Sequence, residues 1–196
     1  PEKFTVAAKI PLSRSSRSIF VFNEACIYEQ LPEYLSESYD GFYMVPKDIT
    51  GTRAVPVVPK SYGYYTMDGV DKSGRRHNPI LLIEECGEPI ATYDSECAQL
   101  PLSDSMVRRL HRAGFYQGSF SPRNIVMQPG PLHFPPAQRT LDQPSYRIID
   151  FGRGVNQRVY FADKAKLTAR DVQMHAIDER RKALDLFDLE AGIYHT

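Results

Sequence analysis

Residues 3–10 read KFTVAAKI, with β-branched residues and alternating polarity, which predicts a strand carrying Lys9 near its end. A polar stretch follows, LSRSSRS, and then SIFVFNEACIYEQL (18–31), where Ile19, Phe22, Cys26 and Leu31 recur near helical spacing. Ser18 can cap that helix and Pro32 fits its end. Residues 36–56 carry DG, VP and TG breakers and predict loop with at most one short strand. VVPKSYGYYTM (57–67) reads as a strand with a bend. DGVDKSGRRHNP (68–79) reads as a turn, and ILLIEE (80–85) as a short buried strand.

The second half is more helical. SDSMVRRLHRAG (103–114) predicts a helix with Ser103 or Asp104 as cap and Gly114 as its stop. NIVM (124–127) and YRIID (146–150) predict short strands, and the Pro-rich excursion between them, residues 128–145, predicts a surface loop. The tail, 167–192, predicts one or two helices with Ile177, Leu184 and Phe187 on a shared face.

With 196 residues, the chain is sized for one domain, or one domain of two small lobes, and 42% hydrophobic residues supply a core. Lys plus Arg and Asp plus Glu balance at 24 each, which argues against a broad nucleic-acid-binding face. Cys26, Cys86 and Cys97 give neither a disulfide framework nor zinc spacing, and fit a reducing intracellular compartment, cytoplasm or nucleus. The longest aliphatic run, ILLI, is far too short for a membrane span, and no signal-peptide pattern opens the chain. The first residue is Pro1 rather than Met, as expected of a processed or trimmed terminus.

Five stretches in order carry candidate chemistry: VAAK with Lys9, FNEACIYEQL with Glu24, ILLIEECGEPI with Glu85 and Cys86, GSFSPRNIV with Asn124, and IIDFGRG with Asp150. Together, over roughly residues 4–154, they resemble the protein-kinase superfamily in a compact form, closest to kinase-like proteins of fungi. The resemblance implies an α+β, two-lobed protein-kinase-like fold with a truncated N-lobe sheet and a shortened helical C-lobe. The N-lobe-like part would span residues 1–86 and the C-lobe-like part 87–196. It also implies ATP and Mg²⁺ as cofactors. Lys9 would face the nucleotide phosphates, and Glu24 would orient Lys9 through a charge-assisted hydrogen bond. Peptide groups near Glu85 and Cys86 would meet an adenine edge. Asp150, in the DFG turn, and Asn124 would hold the metal.

The resemblance breaks in the loop. The catalytic aspartate of the family stands five residues before the asparagine, and here that residue is Ser119. Gln117 stands where the family has a histidine, and Ser121 where many members have a lysine. A hydroxyl carries no charge with which to attract a proton, so the carboxylate base and the auxiliary cation are both lost. The expected function is a pseudokinase or kinase fragment that binds nucleotide and acts through a protein partner, with no nucleic-acid or membrane role. The alternatives are an active atypical kinase and a ligand-free interaction domain. Only eight residues precede Lys9, too few for the two strands that cover the phosphates in the family.

Each residue also has a plain structural reading. Lys9 and Glu24 can form a surface ion pair, Asp150 can cap a turn, and Asn124 can bond its own loop. Arg153 can be a solvated or loop-pinning charge, and His111 a structural residue.

Overall fold

The computed structural model describes residues 5–11, 17–37, 42–43, 52–53, 55–69, 72, 74, 77–90, 102–130, 132, 134–159, 174 and 176–182. The first half holds β1 (Val6–Lys9), α1 (Arg17–Gln30), β2 (Phe42–Tyr43), β3 (Thr52–Arg53), β4 (Ser61–Tyr65), β5 (Ile80–Glu84) and β6 (Glu88–Pro89). Then come α2 (Leu102–Arg112), β7 (Phe115–Tyr116), β8 (Ile125–Gly130), β9 (Thr140–Ile148) and β10 (Val155–Asn156). The architecture is mixed α+β, with two three-stranded sheets, β1-β5-β4 and β6-β8-β9, and two small strand pairs. Among the described residues no helix is long and apolar enough to cross a membrane.

In the first sheet β5 is central; the strand is present as expected, but only Leu81 and Ile83 are fully buried, alternating with half-buried neighbours. Lys9 pairs with Leu81 and Val6 with Glu84. This register sets Lys9 and the Glu85–Cys86 segment toward opposite ends of the sheet. The predicted bend in residues 57–67 is a register shift between Ser61 and Gly63 of β4, where Gly63 takes a positive φ. Val57 and Val58 fall outside the strand. Val57 N–H bonds the Leu35 carbonyl (2.7 Å) and its own carbonyl accepts from Ile148 (2.8 Å), tying the first half of the chain to the second.

The helix of the first half is present, but its faces differ from the expected ones. Ile19 is 67% and Phe22 55% exposed, while Glu24, Ala25, Ile27 and Tyr28 are buried. The apolar count misassigned the inner face because a carboxylate, Glu24, belongs to it. Ser18 lies inside α1, which starts at Arg17, and so is not its cap.

Three other expectations change. α2 starts at Leu102, so Ser103 and Asp104 stand in its first turn rather than before it, while Gly114 (φ 85°) ends it as predicted. The Pro-rich excursion is mostly a hairpin: β8 reaches Gly130 and β9 begins at Thr140, with a short helical turn at Pro136–Gln138 before it. Pairing satisfies backbone groups that a long loop would have to leave to water. In the tail, residues 176–182 are helical and Ile177 is exposed; the inward position belongs to Glu179, and Leu184 and Phe187 lie outside the described residues. Residues 42–43 and 52–53 form two paired strands where at most one was expected. One hydrophobic cluster runs through both sheets and both helices, from Ala25 and Leu35 through Leu81, Met106 and Leu110 to Ile148 and Phe151.

Candidate functional site

Between the end of β1, the start of α1 and the two loops around Ser119 and Asp150 lies a cleft of about 620 Å³. Lys9, Glu24, Ser119, Arg123, Asp150 and Arg153 supply its polar lining. Residues from four distant stretches of the sequence meet there.

Lys9 Nζ is 2.8 and 2.7 Å from the two oxygens of Glu24, and 3.5 Å from Asp150 Oδ1. Glu24 is 1% exposed while the Lys9 side chain is 31% exposed, so this is a half-buried pair reaching across from a strand to a helix, not the surface ion pair of the plain reading. Burial raises the Glu24 carboxyl above its ordinary range, outweighing the Lys9 charge that lowers it. The folded state therefore holds this proton more tightly than the unfolded chain does. Stability from Glu24 is greatest below the ordinary carboxylate range and is lost as pH rises through the raised value.

Asp150 takes φ 63° and ψ 62°, and is the one non-glycine residue with a positive φ among those described. That conformation costs on the order of 1–3 kcal/mol and persists only where its surroundings impose it. The surroundings are visible. The amide of Asn23, on α1, donates to the carbonyls of Phe151 (3.3 Å), Gly152 (3.1 Å) and Gly154 (3.0 Å). Gly152 packs so closely on Phe20 that a Cβ there would lie 3.0 Å from the Phe20 Cβ. The Asp150 side chain makes no cap bond, so it does not serve the turn. It lines the cleft instead.

The Ser119 loop is held from three sides. Gln117 is fully buried, and its amide nitrogen donates to the carbonyls of Asp150 (2.7 Å) and Ile149 (3.0 Å) while its oxygen accepts from Ser119 N (2.7 Å). Gln117 thus stitches the two loops together; it is a positioning residue rather than a lost proton carrier. Glu179, also buried, accepts from the backbone of Gln117 (3.2 Å) and of Gly118, and pairs with His111 Nε2 at 2.9 Å. His111 is structural, as its plain reading holds. Gly118 (φ 80°) sits against Arg153, where a Cβ would overlap the Arg153 carbonyl.

Gln117→Leu leaves two part-buried carbonyls, of Ile149 and Asp150, and the Ser119 amide without their partner. It is expected to lower stability by about 1–3 kcal/mol, read as a drop in the urea midpoint.

Asn124 is buried beneath the same loop, its nitrogen donating to the Ser119 carbonyl (2.9 Å). The loop-bonding reading therefore holds for the amide nitrogen, and Asn124 is not among the residues that line the cleft. Ser119 Oγ lies 3.4 Å from both the Gln117 and the Asn124 amide nitrogens. Arg153 stands 5.6 Å over the Phe20 ring, at the cleft rather than away from it.

Glu85 and Cys86 stand apart from this cleft. The Glu85 carboxylate accepts from Gly87 N (2.7 Å), and the Cys86 thiol donates to the Glu84 carbonyl (3.4 Å). Burial pushes that thiol well above its ordinary range, which removes it as a nucleophile. Two contributors escaped the sequence. Glu179 lies in DERRK, a charge run that reads as a solvated face, and Arg123 follows a proline in what reads as plain loop. No family model matches the chain, and no curated protein matches its sequence.

Proposed function

We propose that the chain is a two-lobed protein-kinase-like domain that binds ATP with Mg²⁺ in the Lys9 cleft, transfers phosphate weakly or not at all, and acts through a protein partner. The observation that carries this reading is the Lys9 contact: one ammonium held by a buried carboxylate, Glu24, and shared with an accessible one, Asp150, on a residue of positive φ. In this reading Glu24 orients Lys9, and Lys9 faces the nucleotide phosphates. The adenine edge would meet the peptide groups near Glu85 and Cys86, at the far end of the sheet from Lys9.

The donors suit a hard cation. Asp150 offers a carboxylate open to the cleft, and Asn124, buried beneath the Ser119 loop, would supply its amide oxygen. Among the described residues no group of three or more His, Cys, Asp and Glu gathers, so further ligands would be phosphate oxygens and water, as Mg²⁺ ordinarily takes them. When bound, the ion neutralises phosphate charge. Ser119 supplies no charge for the acceptor proton, which is why weak transfer is the first reading and an active atypical kinase the alternative.

Thermal unfolding with and without Mg-ATP tests this. At a hundredfold excess over Kd, nucleotide is expected to stabilise the chain by about 2.7 kcal/mol. In Asp150→Ala most of that gain is expected to vanish. An unchanged melting temperature of the wild-type chain would sink the nucleotide reading in favour of a ligand-free interaction domain.

A further inference from the structure

We propose that Arg123 and Arg153 hold the anionic end of the ligand, so that the cleft takes up a polyphosphate chain even without a metal ion. This rests on the nucleotide reading of the cleft and names two residues that reading does not contain.

The argument begins with charge. Three cationic side chains, Lys9, Arg123 and Arg153, and two acidic ones, Glu24 and Asp150, line the cleft. Lys9 is committed to Glu24 through both carboxylate oxygens. Neither arginine has an acidic partner among the described residues. Without the two arginines the uncompensated charge of the cleft would be that of Asp150, and a phosphate would be repelled until a cation arrived. With them the balance is positive before any metal binds.

Both arginines stand on fixed backbone. Arg153 is in the turn that Asn23 holds through the Phe151, Gly152 and Gly154 carbonyls, and the Arg153 backbone packs on Gly118. Its guanidinium rests over Phe20, which limits where it can point. Arg123 is in the short turn Pro122–Asn124, closed by the Asn124 N–H to Ser121 carbonyl bond (2.8 Å) and followed by buried Asn124. One arginine thus comes from the Ser119 loop and the other from the Asp150 turn. Both side chains are exposed and line the cleft between these loops, and a guanidinium offers paired donors that match phosphate oxygens. The positive charge absent at Ser121 is resupplied two residues further on, by Arg123, and from across the cleft, by Arg153.

Calorimetry of inorganic tripolyphosphate in EDTA tests this, using the wild-type chain, Arg123→Gln, Arg153→Gln and the double variant. Adenosine, which has no phosphate, is the neutral comparison, and urea midpoints verify that each variant folds. Wild type is expected to bind tripolyphosphate, each single substitution to weaken it about tenfold, and the double variant by about a hundredfold or more. A folded double variant that keeps wild-type affinity would overturn the inference and leave the nucleotide reading in place. So would a wild-type chain that binds Mg-ATP yet no metal-free tripolyphosphate. Failure of the wild-type chain to bind tripolyphosphate, adenosine and Mg-ATP alike would overturn both.

Discussion

Replacing Ser119 with aspartate is expected to raise phosphotransfer by roughly 10²- to 10⁴-fold, the usual worth of a positioned general base. Position 119 lines the cleft together with Lys9 and Asp150. Two amide nitrogens lie 3.4 Å from Ser119 Oγ: Gln117 Nε2, whose shorter bonds go to the Ile149 and Asp150 carbonyls, and Asn124 Nδ2, whose shorter bond goes to the Ser119 carbonyl. That separation is long for a hydrogen bond to a hydroxyl. A carboxylate reaches further from the backbone and carries the charge that shortens such bonds. The loop itself need not move, because its backbone is held by Gln117 and Glu179. Single-turnover transfer of labelled phosphate to a generic acceptor, in Ser119→Asp against wild type, is the measurement. A variant that binds Mg-ATP and shows no gain would move the defect away from the missing base.

Phe151→Ala is expected to cost about 3–5 kcal/mol of stability, the range for emptying a buried aromatic site. Phe151 is fully buried and meets Tyr28 edge-to-face at 5.5 Å. It joins α1 to the turn that bears Asp150, and it belongs to the cluster shared by both sheets. Total stabilities of about 5–15 kcal/mol are usual for domains, so this one side chain carries a large fraction. The loss should appear as a lowered urea midpoint, together with a weaker response to Mg-ATP, since the Asp150 conformation depends on the same turn. Asn23→Ala separates the two effects: it removes the amide from three carbonyls while leaving the core intact. It should therefore affect ligand response more than stability.

Much of the site was legible one residue at a time. Lys9 on a strand, Glu24 on a helix and Asp150 in a turn were each readable from local pattern, and the structure brings all three together within hydrogen-bond reach. Buried polar residues were read less well. Gln117 looked like a lost histidine and proves to be the tie between two loops; Glu179, which the sequence did not single out, proves to anchor one of them. Hydropathy assigns carboxylates and amides to the outside, and only neighbours distant in sequence can make their burial affordable. The same blindness turned the expected faces of α1, where Glu24 points inward and Ile19 outward.

By itself, the sequence determined the longer elements of the first half, of α2 and of the β8 and β9 segments, and their order, because strand, helix and turn signals depend on neighbours a few residues apart. It also determined the chemistry available: an ammonium, two carboxylates and an amide, with a hydroxyl at position 119. The tertiary structure alone decided which of these share a cleft, how Asp150 is forced to a positive φ, and that Arg123 and Arg153 open onto the same space. Those outcomes follow from close packing of Phe20 on Gly152 and of Gly118 on Arg153, contacts between residues more than thirty positions apart. Local periodicity has no means of encoding such contacts.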